Sequence, residues 1–375
     1  MVYLFLLINL AYSLRKYPLH LEDQALPTSS SNGIENAKTL FAVTIQVGEP
    51  GQNISAILVM DDKKDLILAS VQEDNPSEIS LYNSSASKTY HEINDDYMLG
   101  DDKVELGYDK VSFGSLIANN QSFYIVDLDD DSKYDRSVLP LWFDSKNNSK
   151  NFLNTLKNEQ KIEANVFSID LWNMVLTIGD RADQDKNPEE AIKIPINTET
   201  WTCSFSNISL QGIVLDENST FNLAIEQEGI VGPSDKIALL RSIIAEDHDC
   251  DSKNQTCQCR SDFADFPNIE FLVEGQILII DPHNYMQYQS EYCTFDFYEG
   301  DKWILGQGLF IEYFSVFDHD EGSATFYRVH YPKVEESGFW IGFGLIAIGV
   351  IYGIALVFGI VWYCMKDNSR DYTKI

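Results

Sequence analysis

The residue types that usually carry catalysis do not form a metal or phosphate site in this chain of 375 residues. Its six histidines lack metal-ligand spacing such as His-x-x-x-His, and neither a Gly-x-Ser-x-Gly turn nor a glycine-rich phosphate loop occurs. Asp127, Asp129 and Asp131 begin like a calcium loop, but the turn glycine and the later glutamate are missing. The sequence therefore predicts no metal and no cofactor.

Acidic side chains outnumber basic ones by 58 to 27, which gives a formal net charge of −31 at pH 7. A surface of this sign repels phosphate backbones and anionic lipid headgroups, so nucleic-acid binding is excluded. Near the sequence pI of about 4.3 much of the charge is neutralised, which suits an acidic compartment. With 44% hydrophobic residues the chain can bury one large core or two medium ones.

The first thirteen residues form an apolar run that closes on Ala11-Tyr12-Ser13, a small-x-small pattern typical of a signal-peptide cleavage site. Seven N-x-S/T sequons follow, and all of them precede a second apolar run, as a lumenal ectodomain requires. These N-glycosylation candidates are Asn53, Asn83, Asn120, Asn147, Asn207, Asn218 and Asn254.

The second apolar run, residues 339–364, is unbroken by charge and long enough to cross a bilayer, which predicts a transmembrane helix. Acidic residues precede it and basic residues follow it, so the tail is predicted to be cytosolic. The tail ends Tyr372-Thr373-Lys374-Ile375. This Tyr-x-x-bulky pattern is similar to sorting signals read by clathrin adaptors, which favours the cell surface or the endosomal, lysosomal or vacuolar system as location.

Alternating apolar residues predict many short strands in the ectodomain. Residues 40–59 read as a hairpin broken at Gly48-Glu49-Pro50-Gly51, and residues 268–280 read as another. Helical spacing is rarer. It occurs after Phe152, and again after Ser234, which is predicted to cap its helix.

Four segments in this order resemble pepsin-like aspartic proteases over residues 40 to 330. They are FAVTIQVGEPGQNIS at 41–55, Gly232-Pro233 before the second helix, FPNIEF at 266–271, and WILG at 303–306 followed by FIEYFSVFD at 310–318. The resemblance implies a mainly β, bilobed fold, and the apolar run 339–364 adds a C-terminal single transmembrane helix to it. In such proteases two aspartates from paired Asp-Thr/Ser-Gly loops share one proton and activate water.

Both aspartates are replaced when the family motif is laid on this sequence. Counting from Asp65 to Ser70 places Met60 at the first position, and counting back from Gly232 places Ala224 at the second. A thioether and a methyl group hold no proton, so the resemblance implies that the catalytic residues are absent.

A shift of one residue would instead make Asp61 a catalytic acid, with Glu226 or Glu228 as its partner. A glutamate carries its carboxyl about one methylene farther out, and catalytic geometry tolerates little displacement. The stretch from Asp61 to Asp65 reads more simply as a solvated, charged loop.

The resemblance also assigns the flap and a disulfide. Counting back from Gly107-Tyr108-Asp109 places Tyr97 at the flap tyrosine, on the hairpin that closes over a bound peptide. Cys259 and Cys293 match the disulfide of the C-terminal lobe. Cys250 and Cys257 are a candidate second pair, because an oxidising lumen favours disulfides over a zinc site. Cys203 is then left free or available to another chain.

The main hypothesis is a membrane-bound pseudoprotease that binds a peptide or protein in the cleft between its lobes. An active aspartic endopeptidase with an atypical dyad and a structural or adhesive glycoprotein are the alternatives. The predicted parts are the signal peptide 1–13, a prosegment-like or linker segment 14–39, the N-terminal lobe 40–185, the C-terminal lobe 186–331, a stalk 332–338, the membrane helix 339–364 and the tail 365–375.

Overall fold

The computed structural model describes residues 16–24, 38–60, 65–70, 81–99, 102–127, 136–143, 150–251, 256–261, 263–289 and 292–329. Within these ranges the chain is mainly β, as its alternating apolar residues predicted. No helix of the described part is both long and apolar enough to cross a membrane. The predicted span 339–364 and the tail motif of Tyr372 and Ile375 lie outside the described residues.

The first half of the chain contributes strands β1 to β11 and helix α1. They are β1 Lys16–Pro18, β2 His20–Gln24, β3 Lys38–Val47, β4 Gln52–Val59, β5 Ile67–Ser70, β6 His91–Leu99, β7 Asp102–Phe113, β8 Leu116–Asp127, β9 Ser137–Pro140, α1 Phe152–Asn158, β10 Val166–Asp170 and β11 Val175–Ile178.

The second half contributes strands β12 to β25 and helices α2 and α3. They are β12 Ala191–Pro195, β13 Thr202–Leu210, β14 Ile213–Leu223, β15 Ile230–Pro233, α2 Ser234–Asp247, β16 Cys250–Asp251, β17 Thr256–Gln258, β18 Ile269–Val273, β19 Gln276–Ile280, β20 Met286–Gln289, β21 Tyr292–Phe295, β22 Phe297–Gly300, β23 Trp303–Leu305, α3 Gln307–Glu312, β24 Tyr313–Asp318 and β25 Ser323–Arg328. Short 3₁₀ turns lie at Ser84–Ala86, Pro188–Glu190 and Pro282–Asn284.

Each half of the chain builds a sheet of its own. The eight-stranded sheet has the order β2-β3-β4-β9-β5-β8-β7-β6, and the seven-stranded sheet has the order β19-β18-β13-β14-β23-β15-β22. A six-stranded sheet, β1-β11-β10-β24-β25-β12, takes strands from both halves and so joins them. A four-stranded sheet has the order β16-β17-β21-β20, and all of its strands come from the second half of the chain.

Both predicted hairpins are present. β3 pairs with β4 from Ala42↔Ile57 to Val47↔Gln52, and β18 pairs with β19 from Ile269↔Ile280 to Val273↔Gln276. The turn after β3 needs glycine at position 48, because φ there is +84° and an added Cβ would lie 2.5 Å from Ser87 Oγ. The register buries one set of alternate side chains in the core.

The cysteines pair as expected. Cys259 is bonded to Cys293 and Cys250 to Cys257, while Cys203 is a free, buried thiol in the described part of the chain. Burial, together with the negative charge of Glu274, raises the pKa of the Cys203 thiol to about 12. A thiol of this kind stays protonated and unreactive near neutral pH.

One local expectation needs adjustment, the cap of the second helix. Ser234 is the first residue of α2 rather than its cap, because Pro233 occupies the cap position and no side chain caps the helix. Residues 16–24 belong to the sheets: β1 extends the six-stranded sheet beside β11, and β2 pairs with β3. The buried side chains of Tyr17 and Leu19 fasten this segment to the core.

Candidate active-site loops

The first candidate loop begins where β4 ends. β4 runs parallel to β9 with Val59 opposite Pro140, and the Leu141 N–H donates to the Val59 carbonyl at 2.8 Å. Met60 is the next residue, and it is only 1% exposed because its side chain belongs to the main hydrophobic core. The position that follows this strand is therefore occupied by an apolar, dry side chain.

The second candidate loop begins in the same way in the other sheet. β14 runs parallel to β23 with Leu223 opposite Leu305, and the Ala224 N–H donates to the Leu305 carbonyl at 3.1 Å. Ala224 is the first residue after its strand, as Met60 is after β4, and it is 6% exposed. Residues 60 and 224 thus occupy equivalent places in the two sheets.

Close backbone packing fixes the second loop. The Gln307 N–H donates to the Gln227 carbonyl at 2.8 Å, and the Gly306 N–H donates to the Gly229 carbonyl at 3.1 Å. An added Cβ at Gly306 would lie 1.9 Å from the Gln227 carbonyl oxygen, so this approach requires glycine. The loop therefore has little freedom to shift its side chains.

In the described residues, the carboxylate of Glu226 reaches from the second loop to the first. Glu226, two residues after Ala224, accepts a hydrogen bond on Oε2 from the Met60 backbone N–H at 2.9 Å. The partners are 166 residues apart in sequence, and the bond is charge-assisted. It satisfies a buried backbone donor that would otherwise be costly to leave unpaired.

The other fallback acids are Asp61, which follows Met60 in the sequence, and Glu228. Asp61 lies outside the described residues. Glu228 lies near Asp296. Burial raises the pKa of Asp296 to about 6. The Gln287 amide, which donates to Asp296 at 2.9 Å, opposes this rise, and the negative charge of Glu228 adds to it. The same two carboxylates, after burial, raise the pKa of the Tyr298 hydroxyl to about 12.

The predicted flap is the hairpin of β6 and β7. Tyr97 lies opposite Val104 near the described end of this hairpin. Its ring centroid is 5.1 Å from that of Tyr124 on β8, and the Lys150 ammonium is 5.2 Å from the Tyr97 centroid. The neighbouring Met98 is 56% exposed.

The comparisons with known proteins decide the family. The family model described as "Eukaryotic aspartyl protease" matches residues 40–328, which is most of the chain. The chain belongs to the eukaryotic aspartyl protease family. Pepsin A of Rhinolophus ferrumequinum is 24% identical over 303 residues, covering 73% of this chain and 77% of that protein. Pepsin-3 of Oryctolagus cuniculus is 23% identical over 332 residues, covering 80% and 84%.

Family membership indicates which positions of the two loops to compare with the catalytic acids of aspartyl proteases. In an aspartyl protease the equivalent loop positions carry the two acids that share a proton, whereas here the counted positions are Met60 and Ala224. No group of three or more potential metal ligands occurs in the described part of this aspartyl protease relative.

The sequons fall mostly on the surface. Asn53, Asn83, Asn120 and Asn218 are exposed and Asn207 is half-buried. Asn147 and Asn254 lie outside the described residues.

Sequence reasoning missed Lys150 and Asp296. Lys150 contacts rings 26 and 53 positions away, and Asp296 is held by Gln287 across neighbouring strands. Neither residue belongs to a motif, so only the fold reveals them.

Removing the Glu226 carboxylate should loosen the junction between the loops. Glu226→Ala leaves the Met60 N–H without this acceptor, and we expect a loss of about 1–3 kcal/mol in the free energy of unfolding. Glu226→Gln keeps an acceptor oxygen and should lose less. Urea denaturation measures both, with the exposed β14 residue Glu217→Ala as control. A Glu226→Ala variant as stable as the control would contradict the bridge.

Asp296 should make the fold less stable as pH rises from about 4 to about 6. The unfolded chain releases this proton near pH 4, about the ordinary value for aspartate, whereas the folded chain holds it to about 6. The folded state binds more protons in this window, so the free energy of unfolding falls. Asp296→Asn cannot ionise, and relative to wild type it should gain roughly 2 kcal/mol between pH 4 and pH 7.

Urea denaturation at pH 4 and pH 7 measures this gain. Asp265→Asn is the control, because that carboxylate is 68% exposed. An equal difference between Asp296→Asn and wild type at the two pH values would refute the assignment.

Proposed function

We propose that the chain is a single-pass type I membrane glycoprotein of the secretory pathway whose aspartyl protease ectodomain does not hydrolyse peptides and instead binds a peptide or protein between its lobes. The observation that carries the proposal is the chemistry of the two loop positions. Met60 and Ala224 follow equivalent strands, both are buried, and neither can hold a proton.

The Glu226 bridge supports the same conclusion. In a working dyad, two carboxyl groups face each other across a water and share one proton. Here one carboxylate accepts the Met60 backbone N–H at 2.9 Å, so it serves to join the two loops. The bond uses Oε2 and orients the carboxylate toward the Met60 backbone.

Retained binding is supported by what the fold keeps. The hairpin of β6 and β7 is present, Tyr97 lies near its end, and Met98 is 56% exposed there. A purely structural spacer has no need of a hairpin with an exposed apolar end. Ligand binding needs only this hairpin and two fixed loops, whereas hydrolysis also needs the acids.

The membrane and glycoprotein parts of the proposal come from sequence. The apolar run 1–13, the sequons and the run 339–364 occur in the order of a type I protein, and the tail ends in a motif fit for a clathrin adaptor. Two disulfides and four exposed sequon asparagines are consistent with a lumenal ectodomain. Peptide N-glycosidase should lower the mass of the chain made in a secretory host, and an unchanged mass would contradict this placement.

The purified full-length chain in detergent should release no pepstatin-sensitive fragments from a denatured protein between pH 3 and pH 6. The physical reason is that no proton-sharing pair stands at residues 60 and 224. Peptide mass spectrometry measures the fragments, and porcine pepsin A in the same detergent is the positive control. Fragments that pepstatin suppresses would overturn the proposal.

An active enzyme with an atypical dyad is the second candidate, and one observation favours it. The Glu226 carboxylate accepts a hydrogen bond from the backbone N–H of Met60, and Met60 is the residue before Asp61 in the sequence. If fragments do form, Asp61→Ala and Glu226→Gln should each abolish them, whereas the surface variant Glu217→Ala should not.

Binding separates the pseudoprotease from a structural or adhesive glycoprotein. Selection of a random decapeptide library on the full-length chain should enrich a consensus that Tyr97→Ala fails to enrich, because Tyr97 lies on the hairpin assigned to cover the ligand. The matched control is Tyr108→Ala, on the same hairpin but at its other end, opposite His91. The absence of any consensus would favour the structural alternative.

A further inference from the structure

A lysine ammonium lies beside two neighbouring tyrosine rings, one of which belongs to the flap hairpin. Lys150 Nζ is 4.6 Å from the Tyr124 ring centroid and 5.2 Å from the Tyr97 ring centroid, and the two centroids are 5.1 Å apart. The ammonium also donates a hydrogen bond to the Tyr124 hydroxyl. Both distances are within the range of about 6 Å in which a cation is attracted to a ring face.

Lys150 itself is fixed to the body of the eight-stranded sheet. Its carbonyl accepts from the Leu66 N–H at 2.9 Å, and the Tyr124 N–H donates to the Leu66 carbonyl at 3.1 Å. Its ammonium is 3.8 Å from Asp65, and both side chains are only 22% exposed. The lysine is therefore tied to the end of the first candidate loop as well as to β8.

The hairpin end that Tyr97 occupies is less firmly held by backbone bonds. In the described residues, the pairing of β7 with β8 begins at Glu105, which lies opposite Ile125. Tyr97 pairs with Val104, the β7 residue before Glu105, and therefore lies just outside that pairing. In the described residues, this end is held to the sheet by side chains. Tyr97 and the buried Val104 pack on a cluster that includes Ile57, Ile67 and Tyr124.

We propose that Lys150 is a positioning residue that holds the flap down through Tyr97 and couples it to the first loop through Asp65. The Tyr97 ring lies within cation–π distance of the ammonium, the Tyr124 hydroxyl accepts its hydrogen bond, and the sheltered Asp65 carboxylate balances its charge. A ligand that enters beneath the flap must separate Tyr97 from Lys150. The inference extends the proposed binding function but does not need a ligand for its test.

Hydrogen exchange of the full-length chain in detergent, followed by mass spectrometry, measures how often the flap opens. Lys150→Met keeps the apolar stem but loses the charge, and the amides of 97–99 and 102–104 should exchange about tenfold faster than in wild type. Lys150→Arg should restore the wild-type rate, because a guanidinium also stacks on rings. Amides of α1, which Lys150 precedes, should be unchanged.

Matched variants isolate the contact. Lys110→Met removes a lysine of the same hairpin that pairs with Glu49 at 4.0 Å, and it should leave the flap rate unchanged. Tyr97→Leu should reproduce the faster exchange and Tyr97→Phe should not, which tests the contact even where Lys150→Met does not fold. Wild-type exchange in both Lys150→Met and Tyr97→Leu would overturn the proposal. Equal acceleration in Lys110→Met would overturn it as well.

The outcomes are separable from those of the proposed function. Pepstatin-sensitive hydrolysis would end the pseudoprotease proposal and leave the exchange data as they stand. Unchanged exchange would end the role of Lys150 and leave the chemistry of residues 60 and 224 unaffected.

Discussion

The hydrogen bond from the Met60 N–H to the Glu226 carboxylate is the constraint on which the central region depends. β4 and β14 belong to separate sheets, and their ends differ: the Ala224 N–H after β14 bonds to the Leu305 carbonyl of its own sheet, whereas the Met60 N–H after β4 bonds across to the other half. A buried donor of this kind must be satisfied by some acceptor. In this chain the side chain of Glu226, three residues beyond the end of β14, supplies that acceptor, next to the position that the proposed registration assigns to a family acid.

The same place shows why bracing and catalysis compete. Two carboxylates that approach each other cannot both stay ionised, and the catalytic pair exploits this by sharing a proton. Under the proposed registration, a thioether in the core at residue 60 and a methyl group at residue 224 carry no such charge. The second loop is closely packed, since an added Cβ at Gly306 would lie 1.9 Å from the Gln227 carbonyl oxygen.

Local features of the fold were predictable from sequence, and features set by distant contacts were not. The hairpins of β3–β4 and β18–β19 follow from alternation and turn residues within about twenty positions, and the Cys259–Cys293 disulfide follows from the family resemblance. Residues 14–39 were predicted only as a prosegment-like or linker segment, because short polar strands such as β1 and β2 carry little alternation. Lys150 was missed because its meaning arises only where Tyr97 and Tyr124 are brought together.

In a chain of net charge −31, the surroundings of each sheltered carboxylate affect how stable the fold is. Among the acids of the described residues, Asp109, Glu312 and Asp318 are buried and the others reach solvent, where water and salt weaken their mutual repulsion. Glu226, Asp65 and Asp296 are half-buried, and their surroundings differ: Glu226 accepts a backbone N–H, Asp65 lies 3.8 Å from the Lys150 ammonium, and burial raises the pKa of Asp296. A rise in pH through the raised pKa of Asp296 therefore acts against the fold at that residue, whereas the contacts of Glu226 and Asp65 join parts of the chain that are far apart in sequence.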